Sequence, residues 1–159
     1  MELLMKIDRF DHRILQQLQT NADIAIAELA DLIGLSTNAC WRRIKRLEES
    51  GIIRARVALL NERALGLKLT VFVSVRTNQH NKAWLHQFAN GVRDLPEVVE
   101  FYRMSGDTDY MLKIVAQDID DYDRVYKKLI AVAPMHDVSS SFAMECIKSS
   151  TELPLAHFA

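Results

Sequence analysis

Six cations and one amide form the most chemically suggestive stretch of this sequence. Between Ser36 and Arg56 lie Arg42, Arg43, Lys45, Arg46, Arg54 and Arg56, against only Glu48 and Glu49, and Asn38 opens the run. Arginine can fork onto guanine, asparagine can pair bidentately with adenine, and lysine neutralises phosphate. Beyond Asn61, eleven basic residues face thirteen acidic ones, and the 159-residue chain carries a formal net charge of −1. A basic island in a slightly acidic chain fits a localised phosphate-binding surface rather than a protein that coats nucleic acid indiscriminately. A solvated helix face is the plainer account of the same charges. Geometry decides between them.

Three short helices are expected to carry this island. Phe10, Ile14, Leu15 and Leu18 recur at helical spacing, with Asp8 as N-cap. Ile26, Leu29, Ala30 and Ile33 make a second stripe that stops at Gly34, a candidate left-handed terminator. Ser36 caps a third helix running to about Ser50, closed by Gly51. Two helices joined by Gly34-Leu35-Ser36 match a helix-turn-helix. On a helical wheel Cys40, Ile44 and Leu47 form the core stripe, while Asn38, Arg42 and Lys45 point the other way. Trp41 and Arg46 sit on the shoulders, and Trp41 fits either packing against the first helix or contact with sugar rings. Arg43 falls near the core edge and reads better as a structural salt bridge. Ile52 to Leu60 alternates enough to be a strand or hairpin, so Arg54 and Arg56 would lie on a wing flanking the DNA backbone. The candidate DNA-binding set is therefore Ser36, Thr37, Asn38, Trp41, Arg42, Lys45, Arg46, Arg54 and Arg56.

The last hundred residues change period. After a linker at Asn61 to Lys68, Val71, Val73 and Val75 alternate with Phe72, Ser74 and Arg76. A helix follows with Trp84, Leu85, Phe88, Val92 and Leu95, ended by Pro96; then come strands at Val98 to Met104 and Tyr110 to Ala116. A second helix carries Tyr122, Val125, Tyr126, Leu129 and Ile130 up to Pro134, and Val138 to Ile147 is the final strand. The order β-α-β-β-α-β is the ferredoxin-like arrangement. The expected fold is α+β: a winged helix-turn-helix over 1–60, a linker over 61–68, a ferredoxin-like domain over 69–148 and a tail over 149–159. Two helices cover one face of a four-stranded sheet, yet apolar residues fall on both faces. A second subunit's sheet is the simplest cover, ahead of the N-terminal domain folding back.

Several functions are excluded by composition. Hydrophobic residues at 49% and charged ones at 26% describe an ordinary globular chain. No apolar run approaches the roughly 18 residues of a membrane span. Met1 to Phe10 alternates charged and apolar residues, so no signal peptide is expected, and a cytoplasmic location follows. Cys40 and Cys146 flank no second thiol, and no two of His12, His80, His86, His136 and His157 sit i,i+4. Metals, cofactors and catalysis are not expected: no nucleophile elbow or glycine-rich phosphate loop is present. Asp107 and Asp109 fit a hairpin turn best. A glycine-bearing loop with aspartates could also hold a small zwitterion such as an amino acid at a subunit boundary.

Taken in order, Ile7-Asp8-Arg9, Gly34-Leu35-Ser36 through Cys40-Trp41-Arg42-Arg43-Ile44-Lys45-Arg46-Leu47-Glu48, Gly51-Ile52-Ile53, Pro96-Glu97-Val98, Ser105-Gly106-Asp107-Thr108-Asp109-Tyr110 and Ser140-Ser141-Phe142 resemble the Lrp/AsnC (feast/famine) family of transcription regulators over essentially the whole chain. Many members have proline before the motif cysteine, where Ala39 stands here. The resemblance implies a sequence-specific regulator of transcription, bound to double-stranded DNA in the cytoplasm on the nucleoid. It further implies dimerisation through the sheets, assembly of four dimers into an octamer, and an amino-acid effector held between dimers. By family position the effector contacts would be Arg103, Gly106, Asp107, Asp109, Ile119, Ser141, Phe142 and Ala143. The competing expectation is an amino-acid-binding ferredoxin-like protein without specific DNA binding.

Overall fold

The computed structural model describes residues 6–79 and 81–158. Met1 to Met5 of the segment used to exclude a signal peptide, and His80, lie outside the described residues. The chain divides into two compact units: one runs up to Leu59 and takes in the chain from Lys148 onward, the other is Leu60–Ile147.

The first unit holds α1 (Arg9–Leu18), α2 (Ile26–Ile33) and α3 (Thr37–Glu49). Each boundary has a local cause. Asp8 accepts from the N–H groups of Phe10 and Asp11 while the Asp11 carboxylate accepts from the Asp8 N–H, a reciprocal capping box. Gly34 ends α2 at φ 77°, a left-handed conformation that glycine adopts without a Cβ clash. Ser36 caps α3 through the Ala39 N–H. The core is Ile14, Leu29, Ala30, Ile33, Cys40, Ile44 and Leu47, all buried, and burial pushes the Cys40 thiol pKa up. Each large apolar side chain buried here is worth about 1.5–3 kcal/mol.

The expected strand at Ile52 to Leu60 does not form. The chain here has no regular structure and no ladder partner among the described residues, and Val57, Leu59 and Leu60 are about 70% exposed. The tail, in contrast, is tied down: Gln19 donates from Nε2 to the Leu153 carbonyl at 3.2 Å and accepts the Leu153 N–H at 3.0 Å.

The second unit is β1 (Leu69–Arg76), α4 (Lys82–Arg93), β2 (Val98–Arg103), β3 (Tyr110–Ala116), α5 (Ile119–Val132) and β4 (Asp137–Phe142). The sheet order is β2-β3-β1-β4 and every pairing is antiparallel, the ferredoxin-like topology. Val71, Val73, Val75, Leu112 and Ile114 are buried beneath the helices with Trp84, Phe88, Val125 and Leu129. Phe88 anchors an aromatic group, with its ring centroid 4.9 Å from Trp84 and 5.3 Å from Tyr110. Ala133 takes an extended conformation (φ −156°, ψ 155°) and ends α5 because Pro134 follows it.

The sheet departs from plain alternation and from its expected length at two places. The register slips between Val98 and Glu100, a bulge that leaves Val99 half exposed while Val98 and Phe101 pack on the core. The last strand stops at Phe142, not Ile147, since β1 offers no partner beyond the Ala143 N–H to Thr70 carbonyl bond. The outer face remains partly apolar, with Phe72 at 41% and Tyr102 at 53% exposure. Among the described residues no helix is long and apolar enough to cross a membrane.

Candidate nucleic-acid interface and ligand site

One helix presents most of the candidate DNA contacts. Ser36, Thr37, Asn38, Trp41, Arg42, Lys45 and Arg46 are all exposed, opposite or flanking the buried stripe Cys40, Ile44 and Leu47. Asn38 and Arg42 make no side-chain hydrogen bond or ion pair among the described residues. Lys45 and Arg56 both bridge Glu48, at 2.8 and 2.9 Å, and the hydrogen bond from Lys45 leads in holding the Glu48 carboxyl below its ordinary pKa. Exposed pairs of this kind contribute about 0–1 kcal/mol, so a phosphate can displace Glu48 at small cost. Arg54 is exposed on the irregular segment after α3 rather than on a strand.

Behind this surface lies a charge network that the wheel did not anticipate. Asp11 is fully buried and accepts from Arg43 Nη1 at 2.8 Å and Arg46 Nη2 at 2.5 Å. Asp8 takes a second bond from Arg43 Nη1 at 2.7 Å, and the Arg43 guanidinium lies 5.3 Å from the Phe10 ring centroid. Burial alone raises the Asp8 pKa, but the Asp11 N–H, Arg43 and the Phe10 N–H outweigh it and leave it below the usual carboxylate value. Arg43 is thus the salt-bridged residue its position at the core edge suggested. The missed signal was the pair of aspartates three apart before an apolar run, the pattern of a capping box.

The eight candidate effector residues do not meet within one chain. Arg103, Gly106, Asp107 and Asp109 cluster at the hairpin between β2 and β3, where Gly106 takes φ 104°. Asp109 is held there by its own bonds: Oδ2 accepts the Thr77 N–H at 2.8 Å, its N–H reaches the Val75 carbonyl, and its carbonyl accepts the Met104 N–H. Ile119, Phe142 and Ala143 lie at the other end of β1, since the Ala143 N–H bonds Thr70. From Thr70 to Thr77 is roughly 20 Å of extended chain. Ile119 and Phe142 line a hollow of about 280 Å³ with Tyr122, Asp123, Tyr126 and Ser140. Tyr122 and Ser140 share a hydrogen bond of 2.5 Å across it. Ser141 pairs with Phe72 and so faces the opposite side of the sheet.

Both units match known domains. Residues 7–54 match a winged helix-turn-helix DNA-binding domain and residues 70–153 match the Lrp/AsnC ligand binding domain. The chain belongs to the Lrp/AsnC family. It is 49% identical to the glutamate uptake regulatory protein of Zymomonas mobilis subsp. mobilis over 96% of this chain and 93% of that one. Its fold superposes on the crystal structure of an AsnC family transcriptional regulator from Agrobacterium tumefaciens with a TM-score of 0.91 and 54% identity, covering 95% and 99% of the two chains. A regulator from Neisseria meningitidis, solved in complex with L-Met, matches with a TM-score of 0.91 and 36% identity, over 96% and 99%. The protein is therefore a DNA-binding regulator of transcription and not an enzyme.

Proposed function

We propose that this regulator reads a specific double-stranded DNA sequence with α3 and that a small amino acid, bound where subunits meet, alters that binding. Asn38, Arg42 and Lys45 contact base edges or neighbouring phosphates, Ser36, Thr37, Trp41 and Arg46 flank them, and Arg54 and Arg56 grip the backbone beside the groove. The observation that carries the effector half is the split of its candidate residues. One group surrounds the Gly106 loop and the other surrounds Phe142, at opposite ends of β1, so a neighbouring copy must bring unlike ends together to complete a pocket. The hairpin offers Arg103 and loop amides to a carboxylate, and Asp107 and Asp109 to an ammonium, while Ile119, Ser141, Phe142 and Ala143 supply the remaining wall. The complex of the Neisseria relative with L-Met supports an amino acid as the ligand class. The partly apolar outer sheet face, with Phe72 and Tyr102 exposed, supports a homodimer joined sheet to sheet, and the family resemblance alone extends it to an octamer. The regulator acts in the cytoplasm, on the nucleoid.

A thermal-shift screen of the twenty amino acids tests the effector half. An amino acid at 100 times its dissociation constant should add about 2.7 kcal/mol of stability. The same amino acid should change the affinity for promoter DNA. If none of the twenty shifts either quantity, the effector is not an amino acid; if an amino acid binds but no DNA fragment is retained, the protein is a metabolite-binding relative instead.

A further inference from the structure

A hollow of about 300 Å³ opens on the flank of α3, lined by Leu35, Ala39, Arg42, Arg43 and Arg46. Three arginines contribute to its wall, and the guanidiniums of Arg43 and Arg46 meet at Asp11 behind it. Arg43 spends Nη1 on Asp8 and Asp11, and Arg46 spends Nη2 on Asp11. A guanidinium carries five N–H donors, so each keeps donors that make no hydrogen bond among the described residues. Arg43 is also stacked near Phe10, which fixes the plane of its fork. The two aspartates leave one positive charge of the three unbalanced. Two forks held from behind by carboxylates, beside the unpaired Arg42 and with surplus positive charge, are suited to an oxyanion.

We propose that this hollow seats one backbone phosphate of the bound DNA, with Arg42, Arg43 and Arg46 as its donors and Asp11 as the positioning residue. The proposal rests on α3 being the DNA-contacting helix. Its location selects DNA as the source of the phosphate: Arg42 belongs both to the hollow and to the outward face with Asn38 and Lys45, so an anion seated there continues the reading surface. Asp11 touches no DNA. It is fully buried, and its two oxygens hold Arg43 and Arg46 from behind, so their orientation is settled before binding and less side-chain freedom is lost on docking. A carboxylate buried for that purpose needs both cations, which accounts for the network's placement beneath a surface rather than in the domain centre.

The test is a scan of the target DNA with single uncharged methylphosphonate linkages. In the wild type one linkage in each half-site should weaken binding about tenfold or more. Arg46→Gln should weaken binding to unmodified DNA, reduce the salt slope by about one, and remove most of the penalty at that one linkage. Asp11→Asn should shrink the same penalty while Arg54→Ala leaves it intact. Should Asp11→Asn fail to fold, Arg46→Gln decides alone. A methylphosphonate penalty that survives unchanged in Arg46→Gln at every linkage overturns the proposal. Competition by free inorganic phosphate at constant ionic strength, with no sensitive linkage, would assign the hollow to free phosphate and overturn it equally. Loss of all DNA binding in the wild type would instead remove the reading of α3 itself.

Discussion

The two units of this regulator handle function in opposite ways. In the first, the candidate contacts lie on one rigid helix and the segment just after it, backed by a core of seven buried residues and by the Asp8, Asp11, Arg43 and Arg46 network. The core and the ion pairs described for α3 come from the same chain. In the second, the helices complete a core on one face of the sheet, while the other face and both ends of β1 are left partly open. A site on a single helix can be finished inside one subunit. The effector site proposed above, divided between two ends of a strand, cannot, and on that reading assembly is linked to ligand binding rather than to DNA chemistry.

The largest effect should come from closing off that assembly. Phe72 sits on the central strand β1, pairs with Ser141, and faces away from the helices. Phe72→Glu would put a carboxylate from each subunit into the proposed sheet interface, where an unpaired charge taken out of water costs several kcal/mol. Sedimentation at micromolar concentration should show the wild type as a dimer or larger and the variant as a monomer with its helices intact. An interface of this class buries on the order of 2,000 Å² or more, so a wild type that sediments as a monomer would end the sheet-to-sheet model. Amino-acid binding should fall with assembly if the proposed pocket draws on both ends of β1 from different copies.

The contrast also explains what was readable in the residues alone. The stripe Cys40, Ile44 and Leu47, and the termination of α2 at Gly34, follow from local periodicity and backbone conformation, and both are present in the structure. The βαββαβ order was equally readable, because Pro96 and Pro134 follow the two helices and alternation marks the strands. What escaped depends on contacts between distant residues. Strict alternation cannot register a bulge such as the one beside Val99. A strand needs a ladder partner, and Ile52 to Leu60 has none among the described residues. The burial of Asp11 is set by Arg43 and Arg46, more than thirty residues away. Asp109 was read as a turn residue or a ligand for an ammonium; its carboxylate bond to the Thr77 N–H depends on a hairpin folding against the end of β1.

A middle-sized effect should separate two kinds of contact within the first unit. Arg42 has no partner among the described residues, and its guanidinium faces out from α3. Arg42→Ala should weaken binding to the cognate sequence by about 1–3 kcal/mol and relax preference at one base pair. Arg54→Ala should weaken cognate and random DNA alike and lower the salt slope by about one counterion. Fluorescence anisotropy across a salt series compares them directly. Equal losses on cognate and random DNA for Arg42→Ala would make Arg42 a phosphate contact alone.

The smallest effect probes how the first unit's network responds to pH. Burial raises the Asp8 pKa, yet the Asp11 N–H, Arg43 and the Phe10 N–H hold it below its ordinary value of 3.8 in the folded chain. A carboxyl depressed on folding contributes stability that is fully present above its unfolded pKa and is lost as pH falls through the folded one. Asn caps a helix about as well as Asp, so Asp8→Asn removes the charge while keeping an oxygen for the Phe10 and Asp11 N–H groups. The Asp8 side chain is 45% exposed, and solvent screening limits the charge contribution to about 0.5 kcal/mol. The variant should therefore melt slightly below the wild type at pH 7, and the gap should shrink as pH falls below the unfolded carboxyl value and close once Asp8 protonates in the folded chain. Arg43 stays charged throughout, so the closing of the gap belongs to the carboxyl alone. A gap that persists undiminished at pH 2.5 would show that Asp8 acts through its shape as a cap and not through its pairing with Arg43.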